Sequence, residues 1–283
     1  MEEGVYIRID RNVKLDKPVI LVNHTSVGAE NLFYNLRNLI VLESGAKAEL
    51  IEWYNYAGAE KSRYFANVVN EVFVERGAEF RHCKMQDEAF KANHVALNMV
   101  RVRGGGSYNA FCLQRGANIG RNETKVLLKE EQASAEVNAA YVMHGWATLD
   151  TTTDIEHLAP ETFSHQLVKG VVGGDAKGVF QGKIHIAKHA VKTEGMQLHK
   201  ALLLTDTAEI DVKPELEIFA DDVRCSHGAA SGELDEETLF YMQSRGIGRE
   251  EAKQILIDAY LDDVVNKVAD TAVREWFRER ARA

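Results

Sequence analysis

The residues best suited to chemistry lie in one short run, Asp221-Asp222-Val223-Arg224-Cys225-Ser226-His227-Gly228-Ala229-Ala230. In an extended chain the side chains of Cys225 and His227 leave on the same side, with Cα atoms ~6–7 Å apart. A soft thiolate beside an imidazole suits zinc or iron–sulfur chemistry. Two ligands do not close a site, because a cluster takes about four. The others must come from elsewhere in the chain or from a second chain. Taken alone, a Cys-x-His pair is more often a packed thiol and a hydrogen-bonded histidine. Glu233 and Asp222 would add oxygen ligands, although surface carboxylates are usually only solvated.

The chain has three cysteines, so Cys83 and Cys112 are the remaining sulfur candidates. Cys83 stands six residues after Gly77, whereas Cys112 stands six after Gly106 and seven after Gly105. A shift of one residue turns a side chain to the opposite face of a strand. The spacing therefore leaves open whether the two stack, and core packing is the plainer reading of both.

Nucleotide chemistry is excluded cheaply. Gly178-Val179-Phe180-Gln181-Gly182-Lys183-Ile184 is one residue short between its glycines for a phosphate loop and has Ile where the hydroxyl belongs. It reads as a tight turn before a strand. No Gly-x-Gly-x-x-Gly opens a helix, so the chain is not expected to bind ATP or NAD by itself. With 34 Lys+Arg against 43 Asp+Glu the net charge is −9, which disfavours nucleic acid and anionic membranes as partners. No apolar run approaches the ~20 residues that span a bilayer. The acidic opening Met1-Glu2-Glu3-Gly4 lacks the pattern of a signal peptide. An odd cysteine count argues against a disulfide framework and points to the reducing cytosol.

The elements that must position these residues are strands first and helices last. The 283-residue length allows one or two domains. Gly4–Asp10 alternates apolar with polar, and 18–22, 70–74 and 183–186 are short apolar runs. A weak repeat is anchored at positions 45, 77, 105 and 132, separated by 32, 28 and 27 residues. Such a period predicts a solenoid in which each turn covers the next. A sandwich of hairpins is the alternative, disfavoured by the scarcity of Asn-Gly and Asp-Gly turns. The texture changes after Gly232. Asp235 is a fitting N-cap and Arg245-Gly246 a stop. A second helix opens near Arg249, with apolar residues at helical spacing from Ala252 to Trp276. The polar tail Arg278–Arg282 is expected to fray. The boundaries drawn are 1–233 for an all-β core and 234–283 for a helical region.

The run Leu216–Ala230, continued by Gly232-Glu233-Leu234-Asp235-Glu236-Glu237 and Leu239–Ile247, resembles the C-terminal signature of the SufB/SufD family of iron–sulfur assembly scaffolds. Ile155-Glu156-His157, Ser164–Val171, Gly178–Ile184, Leu202-Leu203-Leu204 and Lys213–Ile218 match the same core. The resemblance is specific from about residue 150 to 265. Cys-Ser-His-Gly is closer to the SufD branch than to SufB.

The resemblance implies a right-handed parallel β-helix followed by short helices. It implies pairing through the β-helix, with a SufB/SufD-type subunit or a second copy. It also implies a SufC-type ATPase docked on the C-terminal helices, and a sulfur donor as a further partner. Cys225 and His227 would take the interfacial metal position, holding an iron–sulfur cluster in transit, and no enzymatic turnover is expected. Longer members carry an N-terminal helical region that this sequence lacks, and no position matches the SufB cysteine that receives sulfur. His157 and His165 are read as turn or hydrogen-bonding residues, and His185, His189 and His199 as partly exposed.

Two other classes compete, besides a purely structural family member that binds the ATPase but no metal. A β-helix enzyme acting on carbohydrate would use clustered acids such as Asp150, Asp154 and Glu156. Aromatic residues are only 8%, with no marked sugar-stacking groove. The helix–turn–helix around Ser244-Arg245-Gly246 superficially resembles a DNA reader, but its first helix opens on acids.

Overall fold

The computed structural model describes residues 3–26, 31–57 and 63–282. Sixteen strands among these residues alternate between two eight-stranded parallel sheets, one strand of each per turn of a solenoid. The first sheet orders β1 (Tyr6–Ile9), β3 (Leu32–Leu42), β5 (Tyr64–Val74), β7 (Asn93–Val102), β9 (Ile119–Leu128), β11 (Thr148–His157), β13 (Lys177–Ile186) and β15 (Glu209–Ile218). The second orders β2 (Val19–Thr25), β4 (Lys47–Tyr56), β6 (Glu79–Glu88), β8 (Ser107–Gly116), β10 (Ser134–Met143), β12 (Phe163–Val172), β14 (Thr193–Leu203) and β16 (Val223–Glu233).

The repeat read from the sequence is the rise of this solenoid. Lys47, Glu79, Ser107 and Ser134 are register partners in successive turns. Two residues before each stands a repeat anchor, and all four have positive φ: Gly45 +73°, Gly77 +66°, Gly105 +64° and Gln132 +61°. In these turns one corner takes a left-handed residue, which glycine supplies without strain. Glu161 and Lys192 continue the column at +54° and +56° without glycine, which is why the repeat fades in sequence.

Three helices follow: α1 (Glu236–Ser244), α2 (Arg249–Val265) and α3 (Thr271–Ala281). Asp235 caps α1 by accepting from the Glu237 N–H, and Gly246 ends it at φ +89°. α2 and α3 lie on the outer face of the second sheet. Leu261, Val264, Val273 and Phe277 bury that face's Met85, Phe111, Leu113 and Val171. This explains a difference between the sheets. The middle strands of the first, β5, β7, β9, β11 and β13, largely alternate buried with half-buried positions, whereas β10 and β12 are buried on both faces along most of their length.

Several expectations are corrected. The long second helix is two, broken after Val265, with Asp270 accepting from Val273 N–H at 2.9 Å to start α3. The tail is helical to Ala281. Arg278 Nε donates to Asp262 Oδ1 at 2.8 Å, and the Arg280 guanidinium lies 4.3 Å from the Trp276 ring centroid. Gly178–Ile184 is no turn but part of β13, where glycines face inward beside bulky partners. His199 is fully buried, stacked on Phe180 at 4.9 Å and sharing a hydrogen bond of 2.7 Å with Tyr141.

Burial lowers the pKa of both His157 and His199 to about 4. Their unfolded value is about 6.5. Each neutral imidazole therefore stabilises the fold fully above pH 6.5, and that stability is lost as pH falls towards 4. At pH 5 the two together are expected to have lost about 4 kcal/mol relative to pH 7.5. Urea unfolding at both pH values checks this, and equal midpoints would refute it.

Candidate functional site

Cys225 and His227 stand on β16, the last strand of the second sheet. Its register fixes their direction. Gly195↔Cys225 and Gln197↔His227 continue the inward column of β14, so both side chains face the interior of the final, open turn. Cys225 is half-buried against the cluster of Ile184, Leu216 and Val223, and burial raises its pKa. Its Sγ lies 3.5 Å from where a Cβ on Gly195 would stand, an ordinary packing distance. His227 is exposed. Among the described residues no strand pairs with the other edge of β16.

Glu233 is the exposed last residue of β16, eight positions from Cys225, and Asp222 is exposed just before the strand. Among the described residues no three His, Cys, Asp or Glu side chains are grouped closely enough to hold a metal ion. The chain therefore offers one thiol and one imidazole at an open seam, and not a closed site.

The question of the other cysteines is resolved by register. Cys83 pairs with Phe111, and Cys112 with Lys84. They lie on opposite faces of the same sheet. Cys83 sits on the outer face beneath the helices, where burial and the Glu49 carboxylate raise its pKa. Cys112 faces inward, and burial raises it to about 12. Both are thiols at neutral pH, which makes them poor nucleophiles.

A buried polar cluster beside Cys112 was missed by the sequence reading. Glu52, Lys84 and His94 are at most 3 % exposed. Burial alone would raise the Glu52 pKa, but the hydrogen bond and charge of His82, with Lys84 and Tyr54, hold it at about 2. Lys84 Nζ lies 2.9 Å from His94 Nε2 and 3.2 Å from Asn122 Oδ1, and burial lowers its pKa. Asn38, Asn70 and Asn98 add a ladder, each amide donating to the next oxygen at 2.8 Å. The available signal was a charge at an inward position recurring one rise apart, Glu52 then Lys84.

The acids that a carbohydrate enzyme would use are occupied. Asp150 accepts from Arg121 at 2.9 Å, and Asp154 and Glu156 share Lys125 at 3.0 and 2.5 Å. Paired, half-exposed carboxylates of this kind make a solvated ladder.

Against known proteins, residues 24–260 match the family described as SUF system FeS cluster assembly, SufBD core domain. The chain belongs to the SufBD family. It is 31% identical over 272 residues to the iron–sulfur cluster assembly protein SufD of Escherichia coli strain K12, covering 95% of this chain and 64% of that protein. A SufBD family protein of Synechocystis is 29% identical, with 95% and 60% covered. The chloroplastic protein ABCI7 of Arabidopsis thaliana is 31% identical, with 88% and 52% covered. The chain thus spans roughly half to two thirds of the length of these SufBD relatives. Among its described residues no helix is long and apolar enough to cross a membrane.

Proposed function

We propose that the chain is a SufD-like scaffold subunit on which an iron–sulfur cluster is assembled as cargo. One observation carries the reading: Cys225 and His227 face the open end of the solenoid from a strand whose outer edge is unpaired. A second subunit of the same architecture, a SufB-like chain or another copy, would meet that end and bring further ligands. The body 1–233 then supplies the seam and 234–283 the docking region. Phe240 and Tyr241 on α1 are 73% and 59% exposed, an apolar surface suited to a SufC-type ATPase. The role is assembly and not turnover, with sulfur delivered by a separate donor and ATP hydrolysed by the partner. Three free thiols favour the cytosol.

Metal binding must displace the Cys225 proton, since the thiolate is the ligand. Anaerobic reconstitution with ferrous iron and sulfide is expected to give visible charge-transfer absorption, stronger at pH 8.5 than at pH 7. Cys225→Ala should remove most of it. Full absorption in that variant would place the ligands elsewhere.

A further inference from the structure

The floor beneath Cys225 and His227 is built by β14. Gln197 is the inward residue one rung below His227 and is 3% exposed. Its side chain crosses the interior to β13, where its amide atoms lie 2.3–2.7 Å from the place a Cβ on Gly182 would take. The amide thus occupies the space that a side chain at Gly182 would take. Gln197 Nε2 donates to Gly182 O at a long 3.4 Å. Gln197 Oε1 is buried and has no hydrogen-bond partner among the described residues. A buried amide oxygen without a donor is costly to keep.

One rung towards the open end, on the same inward column, stands the imidazole of His227, which makes no hydrogen bond to another described residue. A ligating imidazole must place its second nitrogen's N–H on an acceptor, and that acceptor sets the tautomer. Strands in a sheet are ~4.8 Å apart, so side chains on one inward column stand within reach of each other. Gln166 Nε2, one rung further in, is also unpartnered. An amide oxygen carries two lone pairs, so Oε1 can accept from both neighbours.

We propose that Gln197 is the positioning residue of the terminal site: its Oε1 accepts the ring N–H of His227 and holds the imidazole in one tautomer, with the other nitrogen turned towards Cys225. The proposal rests on reading Cys225 and His227 as a ligand pair.

Two measurements on the full chain test it. Ring nitrogen NMR on metal-free protein at pH 8, with the His227 signals assigned by their loss in His227→Gln, reports the tautomer directly. Wild type is expected to show one tautomer, Gln197→Leu a mixture, and Gln197→Glu one tautomer again. Cobalt(II) titration, followed by the thiolate-to-cobalt band, should weaken about 10–100-fold in Gln197→Leu and recover in Gln197→Glu. A tautomer mixture in wild type, or unchanged populations in Gln197→Leu, overturns the proposal. If Cys225→Ala and His227→Gln both keep wild-type cobalt affinity, the pair is not the site. The metal-free tautomer measurement then still decides the Gln197 contact.

Discussion

Glu52→Leu is expected to lower stability by about 3–5 kcal/mol, a large part of the total for a protein of this size. The carboxylate is fully buried and accepts from Tyr54 at 2.6 Å and Asn70 at 2.8 Å, besides pairing with His82. Leucine fills similar space, so packing alone would predict a small effect. The loss comes from what remains: Lys84 would stay inside the solenoid without its counter-charge and His82 without its hydrogen-bond partner, and breaking a buried pair costs far more than replacing it whole. Glu52→Leu combined with His82→Phe should therefore recover part of the loss. Urea unfolding of the single and double variants checks this. A single-variant loss below about 1 kcal/mol, or no recovery in the double, would mean the cluster is not held by charge.

Phe277→Ala is the second large effect, expected at about 3–5 kcal/mol. Phe277 is fully buried and meets Phe111 edge-on at 4.9 Å and Trp276 at 4.8 Å. The cavity would open between helix and sheet, where neither wall can collapse without breaking other contacts. Lys169 Nζ donates to Tyr260 O at 2.7 Å and pairs with Asp263 at 2.6 Å, which pins α2 to β12. Arg115 donates to Arg280 O at 2.5 Å, which pins α3 to β8. Limited proteolysis should accordingly cut after α2 in Phe277→Ala at enzyme levels that leave wild type intact. An unchanged melting point together with unchanged cleavage would refute the placement.

The solenoid was legible because its corner is chemically demanding. A left-handed residue recurs at the same corner of successive turns, and Gly45, Gly77 and Gly105 announce it. Once Gln132, Glu161 and Lys192 take that conformation the signal is lost, although the turns continue. The direction of Cys225 and His227 was likewise readable, because alternation along a strand is a local property. What alternation does not contain is the neighbour across the turn. Whether Cys83 and Cys112 share a face depended on counting from the right glycine, and Gly105, not Gly106, is the one that matches Gly77 in register. The break between α2 and α3 is hidden in the sequence because apolar spacing continues through Val268, and only the Asp270 cap marks it. The helix in the tail was missed because Arg278 and Arg280 read as solvated charge, when their partners lie on α2 and β4.

The outer wall of the second sheet is closed by helices that follow its strands in the chain. Trp53, on the second turn, meets Trp276, more than two hundred residues later in the chain, at 5.5 Å. At translation speeds of about 5–20 residues per second, a ribosome would hold an apolar flank bare for roughly 10–45 s after its strands emerge. A chaperone that shields sticky nascent strands would have its natural client here, and slowing elongation should raise the aggregated fraction before it alters the finished fold.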